Sequence, residues 1–281
     1  VGETLALSAA LFFGLTHFFS GLLARRADGT AIAFIAQVGG AVFILLCLPF
    51  IPADQIDAAS ILWGVASGVG TGVGVAFLYR AMSVGKFSVV VPVSDVAAVA
   101  LPVLAAVVIF GDRPAVLSWG GIALALPALW LISRAKDDTT PAEAGAAPGA
   151  MNALIAGVGF ALQFVALAQA QESAGMWPIV ASRIAAVAVI GVLLIGRCSA
   201  LKLPLKVTAP AAGAGVLGTF ALVLYSFAAQ QQLLSLAVVL TALYPAIPVI
   251  LGLIFLRERL STLQITGLIL AATAVSLIAL G

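Results

Sequence analysis

Two charged side chains stand in apolar surroundings, and they frame the chemistry open to this chain. Asp95 lies in Val-Pro-Val-Ser-Asp-Val-Ala-Ala and Arg183 in Val-Ala-Ser-Arg-Ile-Ala-Ala. A charge at the centre of a bilayer costs about 2.5–3.5 kcal/mol on insertion scales, so each needs a partner or a use. Asp95 has two readings. It is a cavity carboxylate that attracts a substrate amine or carries a proton, or it pairs with a neighbouring helix or with backbone freed by Pro92. Arg183 can bind a substrate carboxylate, snorkel to the interface, or lock a helix bundle through a carboxylate. The locking or snorkelling use is expected, which places Arg183 in the structural set.

Uncharged polar side chains extend the candidate site. His17 and Gln163 each sit in the middle of an apolar segment, where lipid exposure is unfavourable, and both are expected to face a central cavity. His17 offers a proton-sensing imidazole, although a neutral, hydrogen-bonded ring is the expected state. Gln37 is a further candidate for hydrogen bonding to a solute. Tyr79, Tyr225 and Tyr244 have apolar bodies and polar tips, which suit aromatic or amphipathic solutes. An interfacial aromatic belt is the competing reading, and it is preferred for Trp63, Trp119 and Trp177 near segment ends. Tyr79 and Tyr244 are kept as cavity residues. Pro92, Pro102, Pro245 and Pro248 each remove a helical hydrogen bond, which suits bending for gating or a static kink.

These residues must be carried by membrane helices. Of the 281 residues, 63% are hydrophobic and 9% charged, against about 25% charged in a soluble domain. Lipid must therefore solvate most of the outside. Apolar segments are expected over 4–24, 31–51, 61–79, 88–110, 116–133, 151–170, 177–196 and 263–280. The charge-free run 207–256 is long enough for two more, with Gln230-Gln231-Gln232 at the turn between them. The uncharged 4–24 segment lacks a basic leader and is long for a signal peptide, so a retained helix is expected. Glycines in the third segment (Gly64, Gly68, Gly72) and the eighth (Gly213, Gly215, Gly218) read as close helix packing. Cys47 and Cys198 lack a CxxC or His partner and read as packing residues.

The chain repeats itself. At an offset of 146 residues His17 falls on Gln163, Gln37 on Arg183, Tyr79 on Tyr225, Pro102 on Pro248, Asp112 on Glu258 and Gly121 on Gly267. One offset through five segments implies duplication. The expected organisation is a five-helix unit at 1–133, a polar linker at 134–149 and a second unit at 150–281. Because five is odd, the second copy enters the membrane inverted. The fold class is thus an all-α integral membrane protein with ten spans, built as two inverted repeats around a central cavity. Arg and Lys gather in alternate loops, which the positive-inside rule makes cytoplasmic.

The closing stretch 224–280 carries a family resemblance. It has Tyr225 followed by small residues, a Pro-bearing ninth segment, the turn Glu258-Arg259-Leu260 and Gly267 in the tenth. The first half echoes it in 78–133, with Asp112-Arg113-Pro114 in the place of that turn. This resembles drug/metabolite transporters of the EamA type, and within them bacterial exporters of aromatic amino acids and methyl viologen. The resemblance implies a ten-helix exporter in the bacterial inner membrane. Arg183 stands where the family often has an Arg, but the second segment has Gln37 instead, so no symmetric Arg pair exists.

The expected activity is alternating-access export of small organic solutes, aromatic or other hydrophobic amino acids foremost, organic cations next. Few cavity charges argue against multiply anionic solutes. A proton-coupled exporter of other metabolites or drugs is the alternative, and a non-transporting scaffold is a further one. An enzyme would need convergent acid, base or nucleophile groups, and there is no phosphate-binding loop, GxSxG or HExxH. No cofactor, metal or nucleic acid is expected. The expected partners are a solute and lipid; a monomer is compatible with this plan and the oligomeric state is open.

Overall fold

The structure is a computed structural model, and it describes residues 2–110, 115–133, 148–167, 169–196, 203–231, 241, 244, 246–258 and 260–280. Among these residues there is no strand. The helices are α1 (Gly2–Ala24), α2 (Gly29–Cys47), α3 (Ala58–Val84), α4 (Phe87–Phe110), α5 (Val116–Ser133), α6 (Ala150–Leu167), α7 (Trp177–Gly196), α8 (Leu205–Gln231), α9 (Ala246–Phe255) and α10 (Thr262–Leu280). Single 3₁₀ turns follow α2 at Leu48–Phe50 and precede α7 at Glu172–Ala174. Among the described residues six helices are long and apolar enough to cross a membrane: α1, α2, α3, α6, α7 and α8. Shorter apolar runs lie in α4, α9 and α10. The chain is a multi-pass membrane protein.

Local signals set the helix ends. Asp28 caps α2 by accepting the Ala31 N–H at 2.9 Å, and Asp57 caps α3 by accepting the Ser60 N–H at 2.8 Å. Gly85 closes α3 through its N–H to the Ala81 carbonyl. The third segment was expected over 61–79, but α3 runs on to Val84. Ala81 and Met82 are fully buried and continue its packed stripe past Arg80. Arg80 therefore lies within the helix and not in a loop, and Tyr79 is a core residue, not an end residue. The eighth segment likewise extends to Gln231, so Gln230 and Gln231 are helical. Gln232 lies outside the described residues.

Polarity is reversed relative to a water-soluble bundle. Large apolar side chains such as Leu46, Val192 and Ile195 face outward, 68–80% exposed. The interior holds Ser67, Ser88, Ser94, Ser182 and Thr219, all fully buried, among many alanines. Lipid gains nothing from apolar side chains turned inward, so association relies on close backbone approach and hydrogen bonds between helices.

Close approach is visible between the halves. A Cβ on Gly159 would lie 2.5 Å from the Gly74 nitrogen and 2.7 Å from the Gly70 carbonyl oxygen, so only glycine permits α3 and α6 to meet here. Gly64, Gly68 and Gly72 lie along α7, over Pro178, Ser182 and Val189, and Gly215 of α8 abuts the Ala36 backbone of α2. Those four act in packing as their spacing predicts. Gly213 does not: a Cβ there would meet nothing within 4 Å.

The pairing pattern survives exchange of the halves. α3 packs on α6 and α7, and its counterpart α8 packs on α1 and α2. α4 packs on α6 as α9 packs on α1, while α2 meets α7 and α5 meets α10. α1 runs parallel to α3, as His17 neighbours Tyr79 and Gly21 abuts Met82. α3 runs antiparallel to α6, since Gly70 meets Gln163 and Gly74 meets Phe160.

The loops separate into two clusters. At one end Arg25 (between α1 and α2), Gly85 (between α3 and α4), Pro148 (before α6) and Glu258 (between α9 and α10) lie together. At the other, Asp54 and Gln55 donate backbone hydrogen bonds to the Ser173 carbonyl, and the Gln171 N–H donates to Ser60 Oγ.

Candidate functional site

Between the halves lies a hollow of about 40 Å³, room on the order of a few water molecules. α1 supplies Phe13, Thr16 and His17, and α2 supplies Gln37. α3 adds Thr71 and Tyr79, α6 adds Phe160, Gln163 and Phe164, and α7 adds Arg183; Gly218 of α8 and Tyr244 complete the wall. The hollow thus draws on both halves, and its wall is mixed polar and aromatic. Five of the six residues expected to bind solute line it: His17, Gln37, Tyr79, Gln163 and Tyr244.

The sixth, Asp95, does not line it. Asp95 is buried in α4, and its polar neighbour is the phenol of Tyr244, which does face the hollow. The carboxyl therefore stands one side chain behind the wall. Its counterpart in the second half, Thr241, is buried with its hydroxyl unpartnered among the described residues.

Arg183 is partnered by a neutral side chain. It is 5% exposed and lines the hollow, so it does not snorkel to an interface. No carboxylate stands within ion-pair distance of it among the described residues, so the expected carboxylate lock is not there either. Its Nη1 donates to Gln37 Oε1 at 2.6 Å, and its Nε is buried with no partner among the described residues. Gln37 and Arg183 are repeat counterparts, 146 residues apart. The contact therefore joins the two halves at equivalent positions.

His17 sits within an aromatic box. Its ring centroid is 5.4 Å from that of Tyr244, 5.9 Å from Phe160 and 6.2 Å from Tyr79. Its Nδ1 is buried and unpartnered among the described residues, so the expected hydrogen bond for a neutral ring is not met at that atom. Gln163 is held from α3, where its Oε1 lies 2.7 Å from Thr71 Oγ1. Thr71 and Phe160 were not singled out from sequence. The counterpart of Thr71 is Leu217, and that of Phe160 is Gly14, so the repeat gave no signal for either.

The prolines divide. Pro92 is buried within α4 and Pro248 within α9. Pro102 lies in the α4 backbone, though its side chain is outside the described residues, as is the whole of Pro245. Two further helix-interior prolines, Pro127 in α5 and Pro210 in α8, were passed over. Asp112, Arg113, Pro114, Arg259 and Cys198 lie outside the described residues. Trp63 and Trp119 are 40% and 45% exposed, and Trp177 is half-buried.

A second polar cluster closes the end where Arg25 and Glu258 meet. The Glu258 carboxylate accepts from Arg25 Nη2 at 3.0 Å, from the Phe87 and Ser88 N–H groups at 3.0 Å each and from Ser88 Oγ at 2.8 Å. It therefore caps α4 from the turn that follows α9. Arg25 also donates to the Met82 and Gly85 carbonyls and lies 4.5 Å above the Phe87 ring. In the sequence Glu258 stands out only as the counterpart of Asp112 and as part of a family turn. Its capping role is invisible without the fold, because α4 begins 171 residues earlier.

Comparison with known proteins follows the same halves. No curated protein matches the chain. A solved crystal structure shares its fold, with a TM-score of 0.61 at 15% identity over 98% of this chain and 95% of that one. The EamA-like transporter family matches residues 1–134 and again 147–280. The chain thus belongs to the EamA-like transporter family, as its two-copy pattern had implied.

Proposed function

We propose that the chain is a secondary transporter that exports small organic solutes across the bacterial inner membrane by alternating access. Its solutes are aromatic or other hydrophobic amino acids first and organic cations second. The observation that carries this reading is the hollow between the halves, walled by polar and aromatic side chains from both. Membership of a transporter family gives the general activity; the composition of the wall supports the solute class. Aromatic rings of Phe13, Phe160, Phe164, Tyr79 and Tyr244 match an apolar body, while Gln37, Gln163 and Arg183 match a polar end. One cation and one nearby carboxyl suit a zwitterion and disfavour a multiply charged anion.

The two five-helix units are inverted relative to each other. The parallel run of α1 with α3 and the antiparallel run of α3 with α6 support this, since α6 is the counterpart of α1. The end holding Arg25, Arg80 and Lys86 faces the cytoplasm by the positive-inside rule. The hollow is too small for an amino acid as it stands, so carriage requires the bundle to open at one end and then at the other.

The test is solute flux in proteoliposomes over a panel of amino acids and organic cations, with and without a proton gradient. Accumulation dependent on the protein supports the reading, and absence of flux for every solute refutes it. Within that assay Tyr244→Ala is expected to impair flux while leaving a folded, monodisperse protein. Unchanged flux would remove Tyr244 from the solute path.

A further inference from the structure

We infer that Arg183 and Gln37 form a carboxylate-binding subsite at the centre of the hollow, where the carboxylate of a monoanionic or zwitterionic solute docks. The inference rests on the carrier reading above and names the group by which the solute is held. Arg183 is nine-tenths or more buried, and only one of its guanidinium nitrogens has a hydrogen-bond partner among the described residues. That partner, Gln37, is neutral. A buried guanidinium with no anion has lost its hydration and gained little in return, so such groups pair with a carboxylate or a phosphate.

The geometry points to a ligand, not to a missing protein partner. Arg183 lines the hollow, and no carboxylate of the described residues reaches it. Asp95, a carboxylate within the bundle, lies beside Tyr244 and outside the wall. A second unsatisfied polar atom, Nδ1 of His17, is buried in a ring that lines the same space. A carboxylate takes two parallel hydrogen bonds from the guanidinium fork, which matches the free Nε edge of Arg183. Gln37 already fixes Nη1, so the fork is held in place before the ligand arrives.

Duplication explains why only one cation is present. Two arginines in contact at counterpart positions would repel each other; Gln37 in place of one leaves an acceptor for the other. The subsite is therefore intrinsically asymmetric in a symmetric fold, and a single carboxylate suffices to fill it.

The test is equilibrium binding to the detergent-solubilised protein, with three probes that share a phenyl group: 3-phenylpropanoate, phenethylamine and L-phenylalanine. The two carboxylate-bearing probes are expected to bind and phenethylamine to bind at least about tenfold more weakly. Arg183→Gln is expected to weaken carboxylate binding by about tenfold to a hundredfold and leave phenethylamine unchanged. Gln37→Glu covers the case in which Arg183→Gln fails to fold. It places a carboxylate against the guanidinium, and it is expected to retain or raise thermal stability while abolishing 3-phenylpropanoate binding. Equal binding of all three probes, no binding of the carboxylates to the unaltered protein, or wild-type binding by Gln37→Glu would overturn the subsite. Flux is measured in parallel: carriage without carboxylate preference overturns the subsite alone, whereas carboxylate binding without any flux overturns the carrier reading and leaves the subsite standing.

Discussion

Glu258→Ala is the most informative single substitution, because one carboxylate does three things at once. It accepts two N–H groups in the first turn of α4, it holds the Ser88 hydroxyl, and it pairs with Arg25. Loss of a helix cap costs about 0.5–2 kcal/mol. Arg25 is 31% exposed, so the ion pair adds only about 0–1 kcal/mol. Donors left buried without an acceptor add about 1–3 kcal/mol. These contributions share one group and overlap, which puts the total at about 2–4 kcal/mol. At about 2–4 °C per kcal/mol for a chain of this size, the apparent Tm should fall by about 4–16 °C. Glu258→Gln keeps one acceptor oxygen and should lose about half as much. Arg25→Ala removes the weak pair and a contact with the Phe87 ring, and should lose about 1–2 kcal/mol. Thermal unfolding in detergent, followed by tryptophan fluorescence at one scan rate, ranks the three. A Glu258→Ala protein within about 1 °C of wild type would refute the cap. An Arg25→Ala loss equal to that of Glu258→Ala would refute the division of labour between cap and ion pair.

Three further outcomes test the packing, the charge and the gate. Gly215→Ala places a methyl group against the Ala36 backbone and is expected to abolish recovery of folded protein, whereas Gly213→Ala, with open space around it, is expected to be neutral or slightly stabilising; size-exclusion yield compares them. The Asp57 carboxyl is held below its ordinary pKa, chiefly by hydrogen bonding to the Ser60 side chain and then its backbone. A folded-state pKa that is depressed contributes stability above the unfolded value of about 3.9 and loses it as pH falls through the folded value, so the Tm gap between wild type and Asp57→Ala should hold from about pH 7 to pH 5 and close below about pH 4. In a variant lacking Cys47 and Cys198, a cysteine introduced at Thr16 should react slowly with an impermeant thiol reagent, and faster once Glu258→Ala is added; equal rates would show that this end does not gate the hollow.

What the sequence made legible is what duplication and lipid impose on residue type. The offset of 146 residues marked Gln37 and Arg183 as counterparts, but not that they touch. Contact between counterparts depends on how the two halves pack, and no periodicity carries that. Tyr244 was assigned to the cavity from its depth alone, and it lines the hollow. Asp95 has the same depth yet stands behind the wall, because depth fixes distance from water and not the direction a side chain faces. Arg183 was placed in the structural set because buried guanidinium groups usually find a carboxylate; the absence of one among the described residues is a property of the assembled fold. The helix ends were misjudged where a charge fell inside the last turn. Arg80 looked like a boundary, but Ala81 and Met82 beyond it are fully buried and pull the helix on to Gly85.

Closure of the two ends is where the symmetry of the fold breaks down, and that break bears on how a carrier of this plan would open. The seams between halves are backbone against backbone: Gly74 on Gly159, Gly68 on Ser182, Gly215 on Ala36. Such seams cannot slide without a clash, so the helices they join move together. The ends are different. At one, the charged cluster of Arg25 and Glu258 ties the loops together, with a partly exposed ion pair that salt screens over about 8 Å. At the other, the counterpart of Arg25 is Gln171, whose side chain carries no charge. Among the described residues the loops there meet through neutral hydrogen bonds, from Asp54 and Gln55 to Ser173 and from Gln171 to Ser60. Two chemically distinct closures on a symmetric frame can be released separately, whereas identical closures would open under the same conditions. The alternating-access carrier proposed above would use that difference to release one end at a time, and glutamine in place of one cation is its source among the described residues.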